Sequence, residues 1–449
     1  MTFYPLSALM TSDRPDTALV AIVRGEPKDF GEFRRDVIAT VHKIKARRAL
    51  KVVLATNDSY AYCVGLLAAL HSGCRVTVPP NAQAGTLGDY VSRENPLLTD
   101  QGPEKIRNQI EIGGRIDVDF DFAVLTPERA FLDFYTSGST GTPKRIPKRL
   151  SQIENEITVL QQTWAETLQG APALGTVSHQ HIFGLYFKAL WPLSAGRAFY
   201  AETFEIWEEL LAVAPPASCF VSSPAHLSRI PPFDPLTPGT GPCMIFSAGG
   251  PLSNAAALDA ARLFGPLPME IFGSTETGGV AHRQQQTPAT PFTPLAGMET
   301  RSDEAGLLSV KSNYTDDEDW AETNDIAQWF EDGRFLLTGR SDQFVKIEGK
   351  RVSLVQVEKY LGQSELVQEA AVIVLEDDRG SLAAVVELTP PGWQEHEIQG
   401  AFRLNRHLRE ILHDHLEHAA MPRRWRFVTK LPVNAQGKRD RTALHDLFD

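Results

Sequence analysis

The sequence predicts an α/β protein in two parts, a large layered domain over residues 1–340 and a small α+β domain over residues 341–449. Three observations support this prediction. The chain has 449 residues, of which 42% are apolar, so it can form two sizeable hydrophobic cores. Strand-like and helix-like segments alternate through the larger part, as in a sheet covered by helices. Beyond Arg340 the pattern changes to short apolar strands around one amphipathic helix.

The first clear strand–helix–strand unit lies near the N-terminus. Residues 51–55 form an apolar run of strand length, residues 59–70 a longer apolar run, and residues 75–78 a second strand that ends at two prolines. This order predicts a βαβ unit and hence a parallel sheet. Similar patterns predict a helix over residues 151–164 and strands over residues 219–222 and 244–247.

The small domain is predicted from its own pattern. Residues 370–375 and 382–388 are apolar runs of strand length. Leucines and one isoleucine then recur at helical spacing, which predicts a helix with one apolar face. These residues are Leu404, Leu408, Ile411, Leu412 and Leu416.

Charge and cysteine usage exclude several classes of protein. The formal net charge of −12 argues against nonspecific binding to nucleic acid and against docking on anionic lipid. No basic and apolar leader is visible, and the apolar run at residues 61–70 is too short to span a bilayer, so we expect a cytoplasmic protein. The four cysteines lack metal-ligand spacing and are predicted to be buried thiols. They are Cys63, Cys74, Cys219 and Cys243.

Residues 136–144 read TSGSTGTPK, and this segment predicts a phosphate-binding loop. Small and hydroxylated residues give a flexible turn rich in hydrogen-bond donors, which suits the phosphates of a nucleotide. The P-loop of kinases and GTPases is excluded, because Pro143 precedes the lysine and Arg145 follows it. A glycine-rich surface turn is the alternative when this segment is considered alone.

The order of further segments resembles the adenylate-forming superfamily, which comprises acyl- and aryl-CoA synthetases, adenylation domains of peptide synthetases, and luciferases. The matching segments extend through nearly the whole chain. They are residues 136–144 (TSGSTGTPK), 181–185 (HIFGL), 247–252 (SAGGPL) with 271–277 (IFGSTET), 323–325 (TND) with 338–351 (TGRSDQFVKIEGKR), and 431–438 (LPVNAQGK). The resemblance implies that residues 1–340 form an adenylation domain for ATP and an acid, and that residues 341–449 form a mobile domain carrying a catalytic lysine.

The resemblance implies ATP and Mg²⁺ as cofactors. Glu276 would be the Mg²⁺ ligand, since a hard cation that bridges phosphates favours a carboxylate and water. Thr275 would bond the α-phosphate, Phe272 would lie against adenine, and Asp325 with Arg340 would hold the ribose. The full set implied for the nucleotide is Thr136, Ser137, Gly138, Ser139, Thr140, Gly141, Lys144, Gly249, Phe272, Gly273, Ser274, Thr275, Asp325, Arg340, Lys346 and Lys438.

Two further residues carry the two-step reaction that the resemblance implies. Lys438 would bridge the substrate carboxylate and the α-phosphate, although an exposed lysine in such a turn is otherwise an ordinary solvated charge. Asp342 matches the hinge about which the small domain rotates before the thiol attacks. Lys438, His181 and Thr275 are the residues expected to be catalytic.

His181 matches the gate beside the acyl pocket, although a lone histidine is more often structural. The acid would contact His181, Phe183, Phe246, Gly249 and Gly250. Aromatic side chains here could line a flat pocket or could simply be core. Amino-acid adenylation domains usually place an aspartate near the gate, and none occurs between Thr176 and Phe204. We therefore expect an acid without an amino group, with aromatic acids favoured.

The acceptor of the acyl group is expected to be coenzyme A or a phosphopantetheinylated acyl carrier protein acting in trans, since only 11 residues follow Lys438. A basic cluster that includes Arg424, Arg426 and Arg439 could meet either acceptor or could be a solvated face. The chain is short for the superfamily, and residues 144–148 (KRIPK) and 306–325 depart from its pattern. These departures resemble ligases that load aryl acids onto carrier proteins in aryl polyene and xanthomonadin-type pathways.

Three alternatives stay open from the sequence. The chain could be an aryl- or fatty-acyl-CoA synthetase that uses free coenzyme A only, a stand-alone amino-acid adenylation enzyme, or an idle adenylate-binding module. The absence of the gate aspartate weighs against amino acids, and the intact Lys144, Glu276 and Lys438 weigh against an idle module.

Overall fold

The computed structural model describes residues 2–114, 116, 118–136, 143–315, 319–341, 344–347, 350–375, 381–413, 416, 421–434 and 439–448. Its contacts divide the chain into two compact units. The first unit comprises Met1–Thr300, Val310–Ala321 and Phe330–Leu336, and the second comprises Arg301–Ser309, Glu322–Trp329 and Leu337–Asp449. The predicted domain boundary at residues 340 and 341 stays a prediction.

Helices and strands alternate through much of the chain. The helices are α1 (Phe30–Ala46), α2 (Ser59–His71), α3 (Ala84–Gly88), α4 (Leu150–Leu168), α5 (Ile182–Gly184), α6 (Trp191–Ser194), α7 (Trp207–Val213), α8 (Pro224–Leu227), α9 (Asn254–Phe264), α10 (Leu354–Leu361), α11 (Pro390–His413) and α12 (Arg441–Asp446), with a π-helix at Leu185–Leu190. The strands are β1 (Leu19–Val23), β2 (Glu26–Asp29), β3 (Lys51–Leu54), β4 (Arg75–Val78), β5 (Leu97–Thr99), β6 (Gln109–Glu111), β7 (Phe131–Thr136), β8 (Lys144–Arg149), β9 (Ala173–Gly175), β10 (Phe199–Tyr200), β11 (Cys219–Ser222), β12 (Met244–Ser247), β13 (Met269–Ser274), β14 (Gly278–Gln284), β15 (Thr293–Pro294), β16 (Glu299–Ser302), β17 (Leu307–Lys311), β18 (Ala321–Trp329), β19 (Phe335–Arg340), β20 (Phe344–Ile347), β21 (Lys350–Ser353), β22 (Val367–Val374), β23 (Leu382–Leu388) and β24 (Arg424–Val428).

The first unit contains two twisted sheets of mostly parallel strands. One sheet has the strand order β15-β14-β13-β12-β11-β9-β10-β1-β2, and the other has the order β6-β5-β3-β4-β7-β8. Strands β11, β12 and β13 pair in parallel, as do β3, β4 and β7. The predicted α/β fold class is confirmed, including the parallel βαβ unit formed by β3, α2 and β4.

Helix α2 shows why the first βαβ unit packs tightly. Its residues are apolar on every side and buried almost throughout, so the helix lies inside the unit rather than on its surface. Gly65 makes the approach to the sheet possible, because a Cβ there would lie 2.8 Å from side-chain carbons of both Leu54 and Ile112. A helix with a larger residue at this position would have to move away from β3.

The second unit contains strands β22, β23 and β24 in that order, with α10 and α11 packed on them. Leu404, Leu408 and Leu412 are buried, as the helical stripe predicts. Helix α11 is kinked at Gly400, whose φ of 79° is a conformation that glycine adopts without strain. Strand β23 has the predicted bounds. Strand β22 begins three residues before its predicted start, at Val367.

The four cysteines are free thiols, with Cys243 half-buried and the other three buried. Burial raises the pKa of the Cys74 thiol to about 11 and that of Cys219 to about 12. These thiols are therefore protonated and unreactive at neutral pH. Within the described part of the chain, no helix is both long enough and apolar enough to cross a bilayer.

Candidate active site

Strands β7 and β8 frame the predicted phosphate loop. They pair antiparallel, and Thr136 at the end of β7 lies opposite Lys144 at the start of β8. The two strands therefore form a hairpin whose ends at Thr136 and Lys144 are fixed by the sheet. The predicted site residues Ser137, Gly138, Ser139, Thr140 and Gly141 lie outside the described residues.

A buried carboxylate anchors this hairpin. Asp133 of β7 accepts hydrogen bonds from Arg75 at 2.5 and 2.7 Å, and it forms an ion pair with Arg145 at 2.9 Å. Burial alone would raise the pKa of the Asp133 carboxyl. The hydrogen bonds from Arg75 and Arg145 lower it by a larger amount, so the net pKa lies below the ordinary value. Arg145, where the sequence departs from the superfamily pattern, thus ties β8 to the sheet and fixes the backbone next to Lys144.

The turn that carries Thr275 and Glu276 is held by its own side chains. Ser274 and Thr277 bond reciprocally, since the Ser274 amide donates to the Thr277 hydroxyl and the Thr277 amide donates to the Ser274 hydroxyl, both at 3.1 Å. Gly278 follows with φ of 69°, and a Cβ at this position would lie 2.5 Å from a carboxylate oxygen of Glu156. The turn therefore requires glycine both for its conformation and for space.

Lys144 and Glu276 join the hairpin to this turn. Their side chains form an ion pair at 3.2 Å and are 65% and 42% exposed. Among the described residues, no group of three or more His, Cys, Asp and Glu side chains could hold a metal ion. Mg²⁺ needs no such group, because it commonly uses one or two carboxylates together with phosphates and water. The accessible Glu276 carboxylate beside a lysine fits this requirement.

Phe272, the residue expected to lie against adenine, is half-buried in a small aromatic cluster. Its ring centroid lies 5.9 Å from that of Phe292 and 6.1 Å from that of Phe335. The Arg283 guanidinium lies over the Phe292 ring at 4.3 Å. Phe272 is thereby packed from behind, which leaves part of its surface available for a flat ligand.

Gly249 and Gly250 follow the carboxyl end of β12, and Thr275 follows the neighbouring parallel strand β13. The two segments therefore emerge at the same edge of the sheet. Apart from the adjoining residues of the chain, no atom of the described residues lies within 4 Å of the position that a Cβ would occupy at either glycine. Glu270 steadies the end of this loop, because its carboxylate accepts from the Leu252 amide at 3.4 Å and pairs with Arg283 at 2.8 Å.

His181 immediately precedes α5 and the π-helix at Leu185–Leu190. Its side chain is half-buried, and its carbonyl accepts from the Leu185 amide at 2.7 Å. π-Helical turns are rare and occur often at functional sites.

Lys188 of this π-helix is fully buried and donates to the Glu202 carbonyl and the Thr203 hydroxyl, both at 2.9 Å. Burial lowers the pKa of the Lys188 ammonium to about 7.

The aromatic residues near the gate differ in exposure. Tyr186, Phe187 and Phe246 expose at most 3% of their surface. Phe187 and Phe246 pack on each other with centroids 4.9 Å apart, and Phe246 also contacts Trp164 at 5.1 Å. Phe183 is half-buried and lies 4.8 Å from Phe187. Of these side chains Phe183 therefore has the surface that a ligand could touch, with the others packed behind it.

The predicted ribose residues lie in the second unit. Asp325 of β18 and Arg340 of β19 form an ion pair at 3.3 Å, in which the carboxylate is 16% exposed and the guanidinium 40%. The backbone beside them is fixed, because the Asp325 amide donates to the Thr323 hydroxyl, which in turn donates to the Leu308 carbonyl. The sheet thus holds an anion and a cation side by side.

Lys438 and Asp342 lie outside the described residues, and Lys346 lies in β20, of which the backbone is described.

The residue after Lys438 is fixed by two carboxylates of the second unit. Arg439 forms ion pairs with Glu358 at 2.8 Å and with Glu369 at 3.2 Å. Arg424 and Arg426 bond the carbonyls of Phe448 and Leu447. Much of the predicted basic cluster is therefore engaged within its own unit.

Sequence reasoning missed Asp133, Lys148 and Glu156, which are all buried and all contact the hairpin or the turn of the candidate site. A signal for two of them was present. Glu156 falls among the buried apolar residues of α4, and Lys148 points to the same side of β8 as the buried Ile146. A charged residue in an apolar stripe indicates a buried partner, but the sequence does not say which.

Two protein-family models match this chain. The family model described as AMP-binding enzyme matches residues 88–317, and the one described as AMP-binding enzyme C-terminal domain matches residues 356–438. The chain is similar to a 4-coumarate–CoA ligase from Rhodobacter capsulatus, with 30% identity over 330 residues that cover 72% of this chain and 78% of that protein.

Two solved structures show a similar fold. One is a benzoate CoA ligase from Burkholderia xenovorans LB400, with a TM-score of 0.76, 19% identity, and coverage of 98% of this chain and 100% of that one. The other is an O-succinylbenzoate coenzyme A synthetase from Bacillus subtilis in complex with AMP, with a TM-score of 0.79, 16% identity, and coverage of 98% of both chains. At these identities the likeness shows the fold alone.

The buried Lys188 predicts a measurable pH dependence of stability. Its pKa falls from 10.5 to about 7 on folding, so between these values the unfolded chain binds the extra proton and the native protein does not. Lys188 therefore makes the free energy of unfolding rise with pH across this window, by about 1 kcal/mol per pH unit. In Lys188→Met this increment is lost, which urea titrations at pH 7, 8 and 9 would measure. The exposed Lys51→Met serves as the control, and a wild-type-minus-Lys188→Met difference that is constant with pH would contradict the prediction.

Proposed function

Because this chain belongs to the AMP-binding enzyme family, we propose that it activates an aromatic carboxylic acid with ATP and transfers the acyl group to a phosphopantetheine thiol. The membership confirms the superfamily that the sequence motifs indicate. Its relatives include CoA ligases, which form carbon–sulfur bonds. The observation that carries the proposal is the turn at residues 274–278, where Glu276 meets Lys144 of the phosphate-loop hairpin.

The first half-reaction joins the acid to AMP. A carboxylate oxygen attacks the α-phosphorus of ATP, the bond from that phosphorus to the pyrophosphate oxygen breaks, and pyrophosphate leaves with its electron pair. Both partners are anionic, so the protein must supply positive charge and alignment. Lys144 would supply charge at the phosphates, Thr275 would bond the α-phosphate, and Lys438 would contact both reacting groups.

Glu276 would hold Mg²⁺, which neutralises charge on the phosphates when it is bound. The nucleoside would be held by other residues of the set. Phe272 offers a half-buried ring that packs on Phe292 and Phe335, which suits stacking against adenine. Asp325 can accept hydrogen bonds from the ribose hydroxyls, and Arg340 can donate to the same sugar.

The second half-reaction transfers the acyl group. The sulfur of the thiol attacks the acyl carbon, the bond from that carbon to the AMP oxygen breaks, and AMP leaves while the thiol proton passes to solvent. We propose that His181 gates access of the thiol and that Asp342 is the hinge used between the two steps. Since ATP and reduced thiols are consumed, we place the reaction in the cytoplasm.

The class of acid is inferred from the gate segment and from the relatives. No aspartate follows the gate to pair with an α-ammonium, so amino acids are disfavoured. Phe183 is half-buried and offers an apolar ring, and no other described residue fills the Cβ positions of Gly249 and Gly250, so we propose that the acid lies against these three residues. Relatives named for 4-coumarate and benzoate act on aromatic acids, which supports the same class here.

For the acceptor we propose an acyl carrier protein in trans, as in ligases of aryl polyene and xanthomonadin-type pathways. The support is sequence alone: the departure at residues 144–148 resembles that subgroup. The alternative is free coenzyme A, which the names of the relatives favour. Trapping the product on coenzyme A and on a phosphopantetheinylated carrier distinguishes the two.

The proposed activity predicts acid-dependent exchange of labelled pyrophosphate into ATP. We expect wild-type protein to catalyse the exchange with at least one hydroxybenzoate, cinnamate or benzoate. In Lys438→Ala the exchange should fall at least about 100-fold, because a charge aimed at the transition state is removed. The same variant should still transfer the acyl group from a supplied acyl-adenylate to the thiol. Exchange that survives in Lys438→Ala would show that the lysine has another role.

The open space at Gly250 predicts a selective effect on the acid. Gly250→Val adds three carbons at a position where, among the described residues beyond its chain neighbours, no atom lies within 4 Å of the Cβ, so the fold should tolerate it while the pocket becomes smaller. We expect KM for aromatic acids to rise about tenfold, the equivalent of roughly 1.4 kcal/mol, with KM for ATP unchanged. Gly88→Val, at another open glycine, is the matched control. Equal KM values for the acid in the wild type and Gly250→Val would place the pocket elsewhere.

The ribose assignment predicts a loss that depends on the sugar. Asp325→Ala should raise KM for ATP about tenfold, because a hydrogen bond to a charged group is lost. Wild-type enzyme should discriminate against 2′-deoxy-ATP or 3′-deoxy-ATP, and Asp325→Ala should discriminate much less. Asp332→Ala removes an exposed carboxylate that also pairs with an arginine, and it should leave KM unchanged. If replacing ATP by a deoxy analogue raises KM by the same factor in the wild type and in Asp325→Ala, Asp325 does not contact the ribose.

A further inference from the structure

Two buried charged residues lie behind the turn that carries Glu276. Lys148 of β8 is 3% exposed and Glu156 of α4 is 4% exposed. Burial raises the pKa of the Glu156 carboxyl, and the positive charge of Lys148 acts against that rise. Charged groups are rarely buried unless they are paired and hydrogen-bonded. Their position therefore needs an explanation beyond packing.

Both side chains bond the backbone on either side of Gly278. Glu156 accepts a hydrogen bond from the Gly279 amide at 2.7 Å. Lys148 donates to the carbonyl of Glu276 itself at 3.4 Å. The turn is thus held at its start by a cation and at its end by an anion. The Glu276 side chain stays outside this buried pair and meets Lys144 at the surface.

A third contact closes the network. Tyr314 is fully buried and donates from its hydroxyl to the Gly279 carbonyl at 2.8 Å. Lys148 also donates to the Tyr314 carbonyl at 3.5 Å. Lys148 and Tyr314 both belong to segments that depart from the superfamily pattern, residues 144–148 and 306–325. The two segments that differ from the superfamily pattern therefore contact the same turn, and they also contact each other through Lys148 and Tyr314.

We propose that Lys148 and Glu156 are positioning residues for metal-dependent ATP binding, acting by fixing the backbone of Glu276. This inference rests on the proposed function, because it takes Glu276 as the residue that holds Mg²⁺. Two hydrogen bonds, from the Lys148 ammonium to the Glu276 carbonyl and from the Gly279 amide to the Glu156 carboxylate, restrict the turn to one geometry. A carboxylate on a fixed backbone loses less freedom when it binds a metal than one on a free loop.

Four variants separate position from stability. Lys148→Met removes the donor to the Glu276 carbonyl and leaves Glu156 without its cation. Glu156→Gln keeps an oxygen for the Gly279 amide, whereas Glu156→Leu removes it. The double variant Lys148→Met/Glu156→Gln removes both charges, so no unpaired buried charge remains. Calorimetric titration with ATP, in Mg²⁺ and in EDTA, measures binding without turnover, and thermal unfolding measures stability.

We expect the dissociation constant for Mg²⁺–ATP to rise about tenfold in Lys148→Met and in Glu156→Leu, the range seen when outer partners of a metal ligand are lost. The constant for ATP in EDTA should change less than about twofold, and KM for the acid should stay the same. Glu156→Gln should lie closer to the wild type than Glu156→Leu. The double variant should regain thermal stability but keep the weak binding of Mg²⁺–ATP, because the donor to Glu276 is still missing.

Lys188→Met is the matched control, since Lys188 is another buried lysine that donates to a backbone carbonyl. It should change stability and leave binding of Mg²⁺–ATP as in the wild type. The inference is overturned if Lys148→Met binds Mg²⁺–ATP like the wild type, if binding weakens equally in EDTA, or if the double variant regains wild-type affinity. If wild-type protein shows neither ATP binding nor pyrophosphate exchange with any acid, the proposed function itself fails.

Discussion

Strand β13 reverses into β14 within a few residues, and the reversal is possible only because glycine stands at position 278. Its φ of 69° and the Glu156 oxygen 2.5 Å from where a Cβ would lie both exclude a side chain there. Thr275 and Glu276 are consequently presented at the carboxyl edge of a parallel sheet, beside the segment that follows β12. Ligands of open α/β sheets bind at this edge. The proposed roles of Thr275 and Glu276 in binding the nucleotide therefore depend on this one backbone geometry.

Prediction from sequence succeeded where the signal was local. Strands β11, β12 and β23 have the predicted bounds, because each is an apolar run with polar or turn residues at its ends. An ordered set of motifs predicted that residues 271–277, which include most of the turn after β13, contact the nucleotide, and this role stays a prediction. The partners of that turn could not be identified, since Lys148 and Glu156 lie 128 and 123 residues away from the groups that they bond. Only the register of two sheets and one helix brings them together.

Three buried carboxylates hold backbone segments of the candidate site. Asp133 fixes the hairpin through Arg75 and Arg145, Glu270 fixes the loop after β12, and Glu156 fixes the turn after β13. Each carboxylate accepts from a cation or a backbone amide, as burial requires. Ion pairs of this kind add little to stability compared with apolar packing of equal volume. These carboxylates are better explained as groups that fix the backbone geometry, because each of them contacts a segment of the candidate site.

The packing of the aromatic residues near His181 limits which acids the proposed site could bind. Phe187 and Phe246 are enclosed by Trp164 and Trp191, so a ligand could reach them only by displacing a packed core, at a cost of several kcal/mol. Phe183 and the two glycines after β12 need no such rearrangement. In the proposed site, selectivity for the acid would therefore depend on the accessible part of Phe183 and on the two glycines after β12. A rigid planar acid would lose little entropy on binding there, whereas a long flexible chain would lose more.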